Sequence, residues 1–109
     1  MRGDSGIVDD LYAVIASRVG ADPEKSYTAK LFAKGRGKIA QKMGEEAVET
    51  VVAALSEGKT AVVAESADLL YHLLVLWADC GVEPAQVWAE MERRVGTSGV
   101  DEKKSRGKK

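Results

Sequence analysis

Apolar residues recur at three- and four-residue intervals along most of the chain, and strand-like alternation of β-branched residues is sustained nowhere, so the pattern predicts helices throughout. Leu11, Tyr12, Ile15 and Val19 mark a first helix over about residues 8–19, ended by Gly20 and the breaker Ala21-Asp22-Pro23. Ser26 is a suitable N-cap for a short helix over residues 27–34, which Gly35-Arg36-Gly37 then breaks or kinks. A third helix is expected over residues 38–57, with Gly58 supplying its C-terminal chemistry, and a fourth over residues 60–80, capped by Thr60 and followed by Gly81. The fifth begins near Pro84, carries Val87, Trp88 and Met91, and stops before Gly96.

Two of these helices are unusual. The fourth carries Val62, Val63, Leu69, Leu70, Leu73, Leu74, Val75, Leu76 and Trp77, so it is apolar nearly all round and belongs in the middle of a bundle or between subunits. On the third, Met43, Ala47, Val48, Val51, Val52 and Leu55 form an arc that reads as its core side, while Ile39 and Ala53 flank the opposite, acidic arc and suggest that it too is sheltered. The expected fold is therefore an all-α helical bundle of four to five helices completed by oligomerisation. A chain of 109 residues supplies too few short neighbours to cover the fourth helix, so a homodimer or higher homo-oligomer is expected, with Trp77 and Trp88 at or near the interface.

Composition narrows the possibilities. At 45% hydrophobic and 30% charged residues the chain can fill one core and solvate it, which excludes disorder as a whole. The expected layout is a disordered N-terminus over residues 1–6, one helical domain over 7–96, and a flexible basic tail over 97–109. Sixteen Lys+Arg against seventeen Asp+Glu give a net charge of −1, which argues against a general nucleic-acid binder. The longest greasy stretch, residues 69–78, is interrupted by His72, and residues 1–6 lack the pattern of a signal peptide, so a cytoplasmic protein without a membrane partner is expected. Cys80 and His72, each the single residue of its type, exclude a disulfide framework and a Cys/His zinc site, leaving oxygen ligands for any metal.

Such ligands stand in pairs. At 100° per residue, Glu46 and Glu49 project within about 60° of each other and about 4.5 Å apart in rise, with Lys42 in the same sector. Glu65 and Asp68 repeat the spacing on the apolar fourth helix, and His72 follows Asp68 by four residues. Ionised carboxylates sheltered in such a helix need a cation, a proton or a hydrogen-bond partner. Hard Mg²⁺, bound by carboxylates, waters and phosphates, meets that need. The competing arrangement has Glu46 and Glu49 salt-bridged to Lys42, Lys38 or Arg93, and Glu65 and Asp68 serving the helix dipole; Asp68 lies too far into the helix for that. Residues 34–38, Lys-Gly-Arg-Gly-Lys, lack the spacing and preceding strand of a Walker loop but could form a basic phosphate contact.

In order, Ser26-Tyr27-Thr28-Ala29-Lys30-Leu31, Lys42-Met43-Gly44-Glu45-Glu46-Ala47-Val48-Glu49 and Glu65-Ser66-Ala67-Asp68-Leu69-Leu70-Tyr71-His72 resemble the phosphoribosyl-ATP pyrophosphohydrolases of histidine biosynthesis, within the MazG-like all-α nucleotide pyrophosphohydrolases. The resemblance spans residues 11–95. It implies Mg²⁺-dependent hydrolysis of phosphoribosyl-ATP to phosphoribosyl-AMP and pyrophosphate, with Glu46, Glu49, Glu65 and Asp68 as metal ligands. Glu45 becomes either a candidate base or a surface charge, and Lys42 a phosphate contact. Lys30, Lys34, Arg36 and Lys38 become candidates for the ribose-phosphate end, and His72 either a substrate contact or a hydrogen-bonded core residue. A house-cleaning nucleoside triphosphate pyrophosphohydrolase, or a non-catalytic helical dimerisation module with salt-bridged carboxylates, are the alternative readings.

Overall fold

The computed structural model describes residues 6–95, so the expectations for residues 1–5, for the tail over 97–109 and for a stop at Gly96 lie outside the described residues. Five helices follow one another: α1 (Gly6–Ala16), α2 (Tyr27–Lys34), α3 (Arg36–Ser56), α4 (Lys59–Cys80) and α5 (Pro84–Arg94), with no strand among the described residues. The all-α expectation stands. Gly6, placed by the sequence in a disordered terminus, opens α1 instead.

Several boundaries move for local reasons. The Ser26 side chain caps α2 by accepting from the Ala29 N–H at 3.1 Å, as its hydroxyl predicts. Gly35, at φ 96°, is the single residue between α2 and α3, and Gly37 lies within the first turn of α3 rather than breaking it. α1 ends at Ala16, and Val19 lies in the following turn, 59% exposed, instead of in the helix. Thr60 does not cap α4: the cap is Gly58, at φ 114°, and the helix starts at Lys59. Glycine adopts that backbone without penalty, so the turn geometry outweighs the missing side-chain acceptor. α5 begins as expected at Pro84, with the Gln86 side chain accepting from the Glu83 N–H at 2.8 Å.

α4 is the centre of the bundle, with α3 antiparallel to it and α1 and α2 against its C-terminal half. Ile15, Leu31, Ile39, Leu74 and Val75, from α1, α2, α3 and α4, form one buried cluster. Full burial of side chains such as Ile39 and Val75 contributes roughly 1.5–3 kcal/mol each. Tyr12 on α1 donates to the Val82 carbonyl at 2.8 Å, and Trp77 meets Trp88 edge-on at 6.1 Å between ring centroids, which ties α5 back to α4.

The face of α3 that reads as its core side is corrected by this packing. Ile39 and Ala53, which flank the acidic arc, are fully buried against α4, whereas Leu55 is 82% exposed and Val48, Val51 and Val52 are exposed beside it. Within one chain the stripe of Ile39, Glu46 and Ala53 packs toward α4, while Glu49 is exposed and Val48, Val51, Val52 and Leu55 face outward. α4 also departs from the sequence reading: by length and composition it is apolar enough to cross a membrane. Here it lies among the other helices, yet only a small part of its apolar surface is buried by them.

Candidate metal centre and its surroundings

The antiparallel register of α3 and α4 is pinned where Arg36, at the start of α3, bonds Asp79 near the end of α4. From there the mid-portions of the two helices face each other, and the two acidic pairs meet. Carboxylate oxygens of Glu46, Glu65 and Asp68 lie within 4.8 Å of one another. Metal–oxygen distances of about 2.0–2.5 Å place opposing ligands about 4–5 Å apart, so three such oxygens are close enough to share one divalent ion. Glu46 and Glu65 are half-buried and Asp68 is exposed, which leaves the centre open for water or phosphate to complete the shell.

Electrostatics point the same way. The Glu65 carboxyl holds its proton above the usual carboxylate range, first through desolvation and then through the negative charges of Glu49, Glu46 and Asp68 and a hydrogen bond with Glu46. Glu49 thus belongs to the cluster by its charge, though it is not one of the three most closely spaced carboxylates. Among the described residues no ion pair reaches Glu46, Glu49, Glu65 or Asp68. The cations proposed as salt-bridge partners are placed elsewhere: Lys42 lies 3.5 Å from Glu45, and Arg93 binds Glu90 at 2.7 Å. A hard divalent cation would supply the missing positive charge, and these carboxylates are donors of the type it takes.

The neighbouring residues fall into distinct settings. Glu45 accepts a hydrogen bond from the Gln41 amide at 2.8 Å; this bond first, and then Lys42 and Lys38, hold its carboxyl below the ordinary value. A carboxylate so stabilised is a weaker proton acceptor. Lys42 and Lys38 continue the α3 face toward its N-terminus, one and two turns from Glu46. Lys30 and Lys34 are exposed on α2 with no ion pair among the described residues. Arg36 is engaged differently: Nε donates to the Asp79 carboxylate at 2.7 Å and an Nη to the Asp79 carbonyl at 2.9 Å. Ten residues from Glu46, about 15 Å of helix rise, it clamps the far end of the α3–α4 pair.

His72 is 6% exposed, and both of its ring nitrogens have partners within the protein. Nδ1–H donates to the Asp68 carbonyl at 2.8 Å, which leaves Nε2 to accept from the Tyr27 hydroxyl at 3.4 Å. Tyr71 stands beside both rings and is bonded to Thr28; burial is the main cause that raises its phenol. Sequence reasoning did not single out Tyr27, although the stripe Tyr27, Lys30, Lys34 on α2 was there to be read. A cleft of about 410 Å³ lies away from these groups, lined by Val19, Pro23, Phe32, Ala78 and Asp79.

Residues 8–95, nearly the whole described chain, match the phosphoribosyl-ATP pyrophosphohydrolase family. The chain belongs to that family. A phosphoribosyl-ATP pyrophosphatase of Paramagnetospirillum magneticum is 79% identical over 109 residues, the full length of both proteins. Proteins of the same name from Rhodospirillum rubrum and Azospirillum brasilense are 70% and 61% identical over 102 residues, covering 94% of this chain and 87% and 92% of theirs. Both acidic pairs lie inside the stretch that the family covers.

Proposed function

We infer that this pyrophosphohydrolase cleaves phosphoribosyl-ATP to phosphoribosyl-AMP and pyrophosphate in histidine biosynthesis, and that it does so with Mg²⁺. The observation that carries the reading is the convergence of Glu46, Glu65 and Asp68 from facing helices, with the charge of Glu49 acting on Glu65, in a chain that matches the family over residues 8–95. Glu46, Glu49, Glu65 and Asp68 hold the metal. When bound, Mg²⁺ offsets the charge of the phosphate oxygens and acidifies or orients a water.

The chain's own groups do the rest. Lys42 and Lys38, on the same face of α3, offer positive charge to the polyphosphate beside the carboxylates. Glu45, bonded to Gln41 and close to Lys42, steers that lysine. The exposed Lys30 and Lys34 are placed for the second phosphate, the one on the ribose attached to adenine. The P–O–P bridge breaks, water adds to phosphorus, and pyrophosphate departs.

The active form is a homodimer or higher oligomer. Val48, Val51, Val52 and Leu55 expose a continuous apolar arc on α3, and Val63 and Leu70 add to it on α4. An arc of that size in water favours association with a second copy. The substrate assignment is tested by measuring pyrophosphate release with Mg²⁺ from phosphoribosyl-ATP, ATP, dCTP and dUTP, with and without EDTA. Phosphoribosyl-ATP is expected to be cleaved far faster than the rest, and EDTA to abolish turnover until Mg²⁺ is restored. Comparable rates on a noncanonical deoxynucleotide would reassign the enzyme to nucleotide house-cleaning, and activity indifferent to EDTA would remove the metal.

A further inference from the structure

Tyr27 is an exposed aromatic residue, in contact with His72, that the reaction does not yet use. It opens α2 and is 53% exposed, yet its position is fixed. Its hydroxyl reaches the buried Nε2 of His72, and its ring leans on Tyr71, with centroids 6.3 Å apart and planes at 27°. His72 is in turn held by the Asp68 carbonyl, one helical turn from a carboxylate of the metal cluster. A buried histidine with one nitrogen on the backbone of a cluster residue and the other on an exposed phenol ties the attitude of that ring to the position of the cluster. With two side-chain torsions, and the hydroxyl anchored, the ring loses little freedom when something stacks on it.

We propose that Tyr27 is the platform on which the purine ring of the nucleotide stacks, with His72 as its positioning residue. The proposal rests on the nucleotide chemistry inferred above and adds to it the place of the base. Two further features set the direction. Lys30 and Lys34 lie three and seven residues on from Tyr27, on the same stripe of α2, so positive charge continues from the ring away from the cluster. The α3–α4 register also brings Lys42 to about the level of His72 along the helix pair, on the side of α3 that carries Glu46. Phosphates at the carboxylates, a purine on Tyr27, and a second ribose-phosphate along Lys30 and Lys34 follow the order of groups in the substrate. Aromatic stacking accepts any purine face, so discrimination against plain ATP is left to the lysines.

Steady-state kinetics of Tyr27→Ala and Tyr27→Phe separate the ring from the hydroxyl. Removing the ring is expected to raise KM for phosphoribosyl-ATP roughly tenfold, within the range for loss of one base–aromatic stack, and to leave kcat nearly unchanged. Tyr27→Phe keeps the stack but loses the hydroxyl's anchor on His72, so its KM is expected to lie between those of the parent and Tyr27→Ala. A second readout needs no turnover: in EDTA, AMP titrated into the protein should give nuclear Overhauser contacts between its purine protons and the Tyr27 ring. Unchanged KM in Tyr27→Ala together with no such contacts overturns the proposal. So does a Tyr27→Phe variant as impaired as Tyr27→Ala, which would make the hydroxyl, not the ring, the operative group. If the parent protein shows the AMP contacts but does not cleave phosphoribosyl-ATP, the reaction assigned above fails while the base platform stands.

Discussion

Glu46, Glu49, Glu65 and Asp68 concentrate negative charge that no ion pair among the described residues offsets, and Glu65 registers it by holding its proton more tightly than a free carboxyl. Removing one member should therefore have opposite effects on function and on the metal-free fold. Asp68→Ala is expected to lower turnover by at least roughly 100-fold, since losing even an outer-shell partner of a metal typically costs 10–100-fold. Its melting temperature without metal should equal or exceed the parent's, because a like charge has left the cluster. Activity assays beside thermal melts in EDTA check both, and near-normal activity in Mg²⁺ would make Asp68 structural. These carboxylates were legible in the sequence because three-residue spacing on a helix fixes their common face, whatever the tertiary packing. The pairing of Tyr27 with His72 was not, because it arises only where α2 meets α4. Arg36 likewise reads as a loop cation for phosphate until the antiparallel register places Asp79 beside it.

At the scale of elements, all five helices are present near the positions that apolar spacing and cap residues predict. The errors lie where two local signals compete. Glycine's positive-φ backbone displaces Thr60 from the start of α4, and Gly35 joins α2 to α3 without the longer break that two nearby glycines suggest. The larger error concerns which side of α3 is covered. Periodicity finds an apolar arc but cannot say whether its cover comes from the same chain, and Leu55, 82% exposed, shows that here it does not. If the proposed oligomer forms through that arc, Val51→Glu at its centre is expected to sediment as a monomer where the parent does not, and to melt at a lower temperature. Since Glu46, Glu65 and Asp68 come from one chain, a folded monomeric variant should still bind Mg²⁺. A variant that sediments like the parent would place the interface elsewhere.

For the molecule as a whole, acid sensitivity offers a measure independent of the site. Glu90 on α5 sits between Arg93 and Arg94, whose hydrogen bonds bring its carboxyl down to about 2 from 4.5. A carboxyl depressed by folding stabilises the protein while it is ionised, and that contribution fades as pH falls from about 4.5 toward 2. All three side chains are partly exposed, so solvent and salt screen the effect. Glu90→Gln should lower the melting temperature by a few degrees at most at pH 7, with the gap closing below pH 4.5; a gap that stays constant with pH would show that the arginines do not act on Glu90's charge. The connection between α3 and α4 carries a different consequence. Only Glu57 and Gly58 separate these helices, so the pairing that assembles the carboxylates closes a very short loop. Contacts so local are among the first a folding chain can make, ahead of the longer closures that bring α1 and α5 onto α4. The nascent chain therefore meets the mutual repulsion of its four carboxylates early, and a divalent cation present at that moment would speed folding rather than merely slow unfolding.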